Sequence, residues 1–188
     1  LGHSLRRTGT SASLVCQCGP KISQQSLRVL EEVYDIVEPA APFEFPESKY
    51  NNPDDIPDDL EFSFRRLHAW RRDEFERITY LDPDMVILQN IDDLFGVPGV
   101  AAARDLNFRI FKRGKQYTNY FNGGLVTFCP SPETFTRFNE TLRNRWVYLG
   151  AAEQHLVNLV CREDWFRIPD SYHVQAGAHA HMWYAGRH

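Results

Sequence analysis

Short apolar segments alternate with amphipathic helical segments through most of the chain, and this alternation restricts the fold more than any other feature. LVCQC (14–18) and RITYLD (77–82) have the length and residue types of buried strands. The segment 131–146 has helical spacing, with Ser131 as the predicted N-cap and Pro132 at the first helical position. Strands that alternate with helices predict an α/β fold, with a mostly parallel twisted sheet and helices on both faces.

Length and composition exclude several classes of protein. The 188 residues predict a single domain over 1–188, and the net charge of −4 argues against nucleic-acid binding, which depends on phosphate neutralisation. No apolar stretch reaches the roughly 20 residues of a membrane span, and no signal-peptide pattern opens the chain, which favours a cytoplasmic protein. Because the first residue is Leu, a preceding secretory segment or Golgi anchor stays open. The four cysteines lack zinc-binding spacing and are predicted to be reduced core residues.

Two aspartates one residue apart, Asp82 and Asp84, follow the apolar strand ITYL. Burial of a carboxylate is costly without a positive partner, and oxygen ligands of this kind suit Mg²⁺ or Mn²⁺. A solvated turn, in which Asp84 caps local amides, is the alternative. The aspartate-nucleophile phosphatases related to haloacid dehalogenases also carry such a pair. Their motif lies on the first strand, whereas this one lies late and is followed by Met85, so we disfavour a phosphatase.

The longer pattern LHAWRRDEFERITYLDPDMVILQNIDDLF (67–95) resembles glycosyltransferase family 8, the retaining nucleotide-sugar transferases that include glycogenins and galactinol synthases. The resemblance continues through FNGGLVTFCPSPETF (121–135) and AEQHLVN (152–158), and LGHSLRR (1–7) resembles the family's first helix. It implies a GT-A-like domain that binds Mn²⁺, or Mg²⁺, and a UDP-sugar donor at the carboxyl edge of the sheet. The family's opening strand and final motif lie outside the chain, so the resemblance implies a domain that is incomplete at both ends.

Residue roles follow from the same resemblance. Arg66 stands at the family's lysine, where a cation meets the donor, although a salt bridge to a nearby acidic residue (Asp58, Asp59 or Glu61) is the alternative. Trp183 stands at the position of the third metal ligand, and His181, two residues earlier, could ligate instead. The implied sets are Glu153 and Gln154 as catalytic residues, Arg66, Asp82, Asp105, Asn122, Gly123 and Gly124 as substrate-binding residues, and Asp82, Asp84 and His181 as metal ligands.

Two of these assignments have structural alternatives. Asn122, Gly123 and Gly124 could form a bulge at the start of a strand instead of binding the donor sugar. Glu153 is one methylene longer than the family's aspartate, and it could be a simple helix-start charge.

The sequence thus predicts a metal-dependent retaining glycosyltransferase that moves a hexose from a UDP-sugar to a hydroxyl acceptor. That acceptor would be a sugar, a polyol or a protein tyrosine, such as Tyr172 or Tyr184. The alternative is a degenerate module that binds a sugar or a partner without catalysis. A homodimer is compatible with either function.

Overall fold

The computed structural model describes residues 1–46, 57–106, 111–112, 115–116, 119–145, 147 and 152–175. The described residues form five α-helices: α1 (Gly2–Arg7), α2 (Gln24–Glu31), α3 (Asp58–Arg65), α4 (Pro132–Asn144) and α5 (Ala152–Cys161). Three 3₁₀ helices span Arg66–Arg71, Asp92–Gly96 and Asp170–Tyr172. The strands are β1 (Val15–Cys18), β2 (Ile36–Pro39), β3 (Ile78–Leu81), β4 (Val100–Arg104), β5 (Phe111–Lys112), β6 (Lys115–Gln116), β7 (Phe121–Phe128) and β8 (Trp165–Arg167).

The main sheet has the strand order β3-β7-β4-β8. Strands β4 and β8 are parallel, whereas β7 pairs antiparallel with both β3 and β4. Three strands therefore point the same way, as predicted, and β7 is the exception. The reversal matters for the site, because the first residues of β7 come to lie beside the carboxyl ends of β3 and β4. A separate parallel pair, β1 with β2, and a short antiparallel hairpin, β5 with β6, complete the described sheets.

Both faces of the main sheet are covered by apolar side chains. Alternation along β4 sends Ala102 to one face and its two neighbours to the other. The larger core lies on the first face, beneath α3, α4, α5 and the 3₁₀ helix Arg66–Arg71, and includes Phe64, Trp70 and Phe138. The 3₁₀ helix Asp92–Gly96 covers the second face with Leu94. The prediction of an α/β fold with helices on both faces of the sheet is confirmed.

A cavity of about 570 Å³ separates the small β1–β2 sheet from the main sheet. Val15 and Gln17 of β1 line one wall, and Ile78 and Tyr80 of β3 line the other. Within the described residues, neither β1 nor β3 has a ladder partner on the side that faces the cavity.

The four cysteines are unpaired by disulfides, as predicted, but they are not all core residues. Cys129 is exposed, where Arg77 donates a hydrogen bond to its Sγ atom at 3.3 Å, and Cys16 is half-buried. Burial raises the pKa of the Cys16 thiol to about 12, with the neighbouring Cys18 adding to the effect. Within the described part of the chain, no helix has the length and apolar character that crossing a membrane requires.

Candidate active site

Arg66 is the cation that pairs with Asp82, the first aspartate of the acidic pair. Its Nη1 atom lies 2.7 Å from Glu153 Oε1 and 3.1 Å from Asp82 Oδ1, and its Nη2 atom donates a hydrogen bond to the carbonyl of Gly123. The guanidinium also stacks on Tyr80, with 3.7 Å between its central carbon and the ring centroid. The alternative salt bridge to an acidic residue of α3 is not made by Arg66. Its neighbour Arg65 pairs with Glu61 instead. One arginine thus joins α3, β3, β7 and α5.

Burial sets the electrostatics of this cluster. Only 15% of the Arg66 side chain and 5% of the Glu153 side chain are exposed. Burial disfavours the charge on Arg66, but Glu153, Tyr80 and Asp82 together raise its pKa above the ordinary value. Burial raises the pKa of Glu153, and the neighbouring guanidinium opposes that rise. Because Glu153 is buried against Arg66, it is more than an exposed helix-start charge.

A second polar cluster lies where β4 ends. Asp105 Oδ2 accepts hydrogen bonds from Gln154 Nε2 at 2.9 Å and from Asn122 Nδ2 at 3.3 Å. Gln154 Oε1 in turn accepts the backbone N–H of Gly123 at 2.7 Å, and Asn122 Oδ1 accepts that of Gly124 at 2.8 Å. Carboxylate and amide groups from three segments are therefore held in fixed orientations before any ligand arrives.

A break in strand pairing shapes the backbone here. The pairing of β7 with β4 shifts register between Ala102 and Arg104, where Asn122, Gly123 and Gly124 stand opposite. Such bulges redirect side chains and recur beside active sites. A Cβ atom at Gly124 would lie only 2.9 Å from His173 and 3.0 Å from Asp82, so the close approach requires a glycine. The register shift agrees with the alternative of a bulge at the start of the strand, and the same feature presents these residues to the site.

Asn158 locks α5 onto the start of β7. Its side chain is buried, accepts a hydrogen bond from the N–H of Phe121 at 2.9 Å, and donates to the carbonyl of Phe121 at 2.9 Å and to that of Gln154 at 3.0 Å. These bonds fix the helix that carries Glu153 and Gln154 relative to the strand that carries Asn122. The two polar clusters are therefore part of one rigid arrangement.

Replacement of Asn158 by leucine is expected to lower the free energy of unfolding by about 2–4 kcal/mol, because buried backbone groups of Phe121 lose their partners. Urea denaturation followed by circular dichroism measures this loss. Asn139→Leu on α4 is the matched control, since its side chain is half-buried and makes one bond, to the carbonyl of Phe135. We expect that control to lose less than about 1 kcal/mol, and equal losses in the two variants would contradict the locking role.

The remaining predicted metal ligands are less closely grouped. Asp84 is exposed on the turn after β3, and Asp82 is half-buried against Arg66. Among the residues that the structure describes, no three His, Cys, Asp or Glu side chains form a group that could hold a metal ion. His181 lies outside the described residues, as does Tyr184. Tyr172 is half-buried, and its hydroxyl donates a hydrogen bond to Asp93.

The sequence analysis missed two side chains of the site, Tyr80 and His173. Tyr80 lies two residues before the predicted Asp82. In a strand this spacing puts both side chains on one face, so it could have indicated that Tyr80 and Asp82 share Arg66. His173 packs beside Gly124 and Asp82. Burial lowers the pKa of His173, whereas the carboxylates of Asp82, Asp105 and Asp84 oppose that shift. No local pattern in DSYHV signals this position.

Comparisons with known proteins agree on one family. The model of glycosyl transferase family 8 matches residues 10–183. Glycogenin-1 of Caenorhabditis elegans is 29% identical over 95% of this chain and 40% of its own length, and glycogenin of Neurospora crassa is 28% identical over 95% of this chain and 25% of its own. Galactinol synthase 1 of Solanum lycopersicum is 27% identical over 60% of this chain and 39% of its own length. The chain thus spans less than half the length of each of these relatives.

Proposed function

Because the chain belongs to glycosyltransferase family 8, we propose that residues 1–188 are a single catalytic domain that transfers a hexose from a UDP-sugar to a hydroxyl acceptor with retention of configuration. The observation that carries the proposal is the buried Arg66, which holds Asp82 and Glu153 together at the carboxyl ends of the strands. A resemblance in sequence alone does not require the matching residues to lie close together in the fold. Here the matching residues of three separate segments meet at one edge of the sheet.

Leaving-group stabilisation is the first requirement of this reaction. When the bond between the sugar and the diphosphate breaks, negative charge develops on the phosphate oxygens, and preorganised cations are the most effective means of stabilising it. Arg66 is held in place by two carboxylates, a carbonyl and Tyr80, so its charge needs little reorganisation.

A divalent ion, Mn²⁺ or Mg²⁺, would be held by Asp82 and Asp84, with His181 as the third ligand implied by the resemblance. Carboxylate oxygens are ligands of the kind that such an ion prefers, but the described residues contain no group of three that could hold it, so the proposed ion rests on the resemblance. When bound, such an ion acts as a Lewis acid on the diphosphate.

Sugar recognition falls to the cluster around Asp105. Its carboxylate, the Asn122 amide and the Gln154 amide already satisfy one another, and their remaining donors and acceptors can bind sugar hydroxyls. Hydrogen-bonding groups of this kind disfavour analogues that lack a hydroxyl, since a poor fit leaves them unpaired. Gly123 leaves room for the Gln154 side chain, and Gly124 leaves room for Asp82 and His173, so both glycines would act on the donor through these neighbours.

Retention of configuration requires either a nucleophilic carboxylate or a leaving group that guides the acceptor to the same face. Glu153 is the candidate nucleophile, and Arg66 favours its ionised form although burial opposes it. Gln154 is the neighbouring catalytic residue and would orient the sugar through the bonds it already makes to Asp105 and Gly123. The acceptor would be a sugar, a polyol or a tyrosine.

Titration calorimetry with UDP, in the presence and absence of Mn²⁺, tests binding. Donor hydrolysis, measured as UDP release from UDP-glucose, UDP-galactose and UDP-glucuronate, tests catalysis and the donor. We expect Mn²⁺-dependent binding and preference for one donor. Binding without hydrolysis or transfer would support the sugar-binding module instead, and failure to bind UDP under either condition would contradict both the donor and the metal.

A further inference from the structure

Ala152, the first residue of α5, has a backbone conformation that alanine rarely adopts. Its φ angle is +47°, and no other non-glycine residue among those that the structure describes has a positive φ. In this left-handed region the Cβ atom of an L-residue crowds the following carbonyl oxygen, so the conformation costs free energy. Such strain persists only where the surrounding structure imposes it, and Ala152 directly precedes the two proposed catalytic residues.

Both residues that follow Ala152 reach into the site. Glu153 Oε1 lies 2.7 Å from Arg66 Nη1, and Gln154 Nε2 donates a hydrogen bond to Asp105 Oδ2 at 2.9 Å. Successive side chains of an α-helix point about 100° apart around its axis, so the first turn of α5 makes both contacts in only one orientation. The backbone at Ala152 determines how the chain enters that turn.

The chain is tied to the core on both sides of Ala152. Before it, Val147 is buried in the larger core. After it, Asn158 accepts a hydrogen bond from the N–H of Phe121 and donates one to the carbonyl of the same residue, which fixes α5 on β7. Because both sides are held, a right-handed backbone at position 152 would displace the first turn of α5. That turn carries the two proposed catalytic residues.

We infer that Ala152 is a positioning residue, whose left-handed backbone directs Glu153 to Arg66 and Gln154 to Asp105. The inference rests on the proposed function, because the two residues that it directs are the proposed catalytic ones. The requirement is for a backbone conformation and not for a particular side chain. Glycine and asparagine adopt the left-handed region readily, whereas β-branched residues such as valine and threonine adopt it very rarely. Replacements at position 152 should therefore rank by this preference and not by their size.

UDP release by the full chain, at saturating Mn²⁺ and with the best donor, tests this ranking. We expect kcat in Ala152→Gly and Ala152→Asn to stay within about 3-fold of the wild type, whereas Ala152→Val and Ala152→Thr should lose at least about 10-fold, since a misplacement of about 1 Å can cost about 100-fold. Calorimetry should give the same affinity for UDP in all four variants, because Arg66 and Asp82, which would meet the diphosphate, lie outside α5. A loss of kcat without a loss of UDP binding distinguishes displaced catalytic residues from general damage to the fold.

Urea denaturation tests the positioning independently of activity. Glu153→Gln removes the charge that pairs with Arg66, and it should lower the urea midpoint by the same amount in the wild type and in the Ala152→Asn background. In the Ala152→Val background Glu153 has already lost this partner, so the same change should have less than about half of that effect. Ala12 is the matched control, because it is also half-buried but has no positive φ. Ala12→Val and Ala12→Asn should each leave kcat and the effect of Glu153→Gln unchanged.

The outcomes separate this inference from the function on which it rests. If Ala152→Asn and Ala152→Val have equal kcat, or if Glu153→Gln has the same effect on the urea midpoint in both backgrounds, the inference is wrong and the proposed function stands. If the wild type releases no UDP from any donor but the effect of Glu153→Gln depends on residue 152 as expected, the function fails and the positioning of Glu153 is still supported. Valine and threonine are tested in parallel to guard against a variant that does not fold, which circular dichroism detects.

Discussion

Arg66→Met is expected to lower the free energy of unfolding by about 3–5 kcal/mol, the largest stability loss that we foresee for any single change in this chain. Removal of one partner from a buried ion pair leaves the other charge uncompensated, and that penalty is of this size. Glu153 is 5% exposed and would lose its cation, while Tyr80 would lose the guanidinium stacked on it. Urea denaturation at neutral pH measures the effect.

The pH dependence of this loss identifies its cause. Burial already raises the pKa of Glu153, and removal of Arg66 should raise it further. A carboxyl group whose pKa is higher in the folded state stabilises the fold while it is protonated, and this contribution is lost as pH rises through the folded pKa. The penalty of Arg66→Met should therefore shrink as pH falls towards about 4, the ordinary range of a glutamate.

Two further variants control for packing. Arg66→Met combined with Glu153→Gln removes the buried charge together with its partner and should recover part of the lost stability. Arg71→Met changes an exposed arginine five residues further along the chain, and its free energy of unfolding should stay within about 0.5 kcal/mol of the wild type. A loss in Arg66→Met that is the same at every pH, with no recovery in the double variant, would show that the charge on Glu153 is not responsible.

Asp84→Asn is expected to reduce kcat/KM for donor hydrolysis at least about 100-fold, because the change removes a proposed ligand of the ion that stabilises the leaving diphosphate. Its effect on folding should be small, since Asp84 is exposed. UDP release at saturating Mn²⁺, with the best donor of the screen, measures the loss. Asp73→Asn, at another exposed aspartate, is the matched control and should keep full activity. Activity in Asp84→Asn close to that of the control would exclude a role for this carboxylate in catalysis.

Local patterns predicted the elements of this fold well, because caps and spacing act over a few residues. Helix α4 begins after Ser131, whose hydroxyl accepts the N–H of Thr134 as a capping residue should. The predicted strand RITYLD (77–82) is β3, which spans Ile78–Leu81. Elements whose form depends on distant contacts were predicted less well. The change from α-helix to 3₁₀ geometry at Arg66, the residue that bonds to Asp82 and Glu153, was not predicted.

The candidate site could be predicted only in part, because it too depends on contacts between distant segments. The motifs named Arg66, Asp82 and Glu153, which meet in one cluster, and Asp105, which lies in the second cluster with Asn122 and Gln154. Their partners depend on the antiparallel direction of β7, which the alternation of strands and helices cannot predict, since both directions give the same local pattern. His173 carries no local signal at all. It reaches the acidic pair because the chain after β8 returns to the end of β4, where Gln175 anchors it.

The cavity between β1 and β3 also bears on how this polypeptide behaves in concentrated solution. Strand edges that lack a neighbour are templates for aggregation, because their peptide groups can pair with an extended segment of another molecule. Among the described strands, β1 and β3 lack a partner on the side of the cavity, so these two edges are expected sites of intermolecular pairing, whereas β7, which has a neighbour on each side, should be protected from it. Colloidal stability thus depends on how well these two edges are covered, independently of the chemistry at the candidate active site.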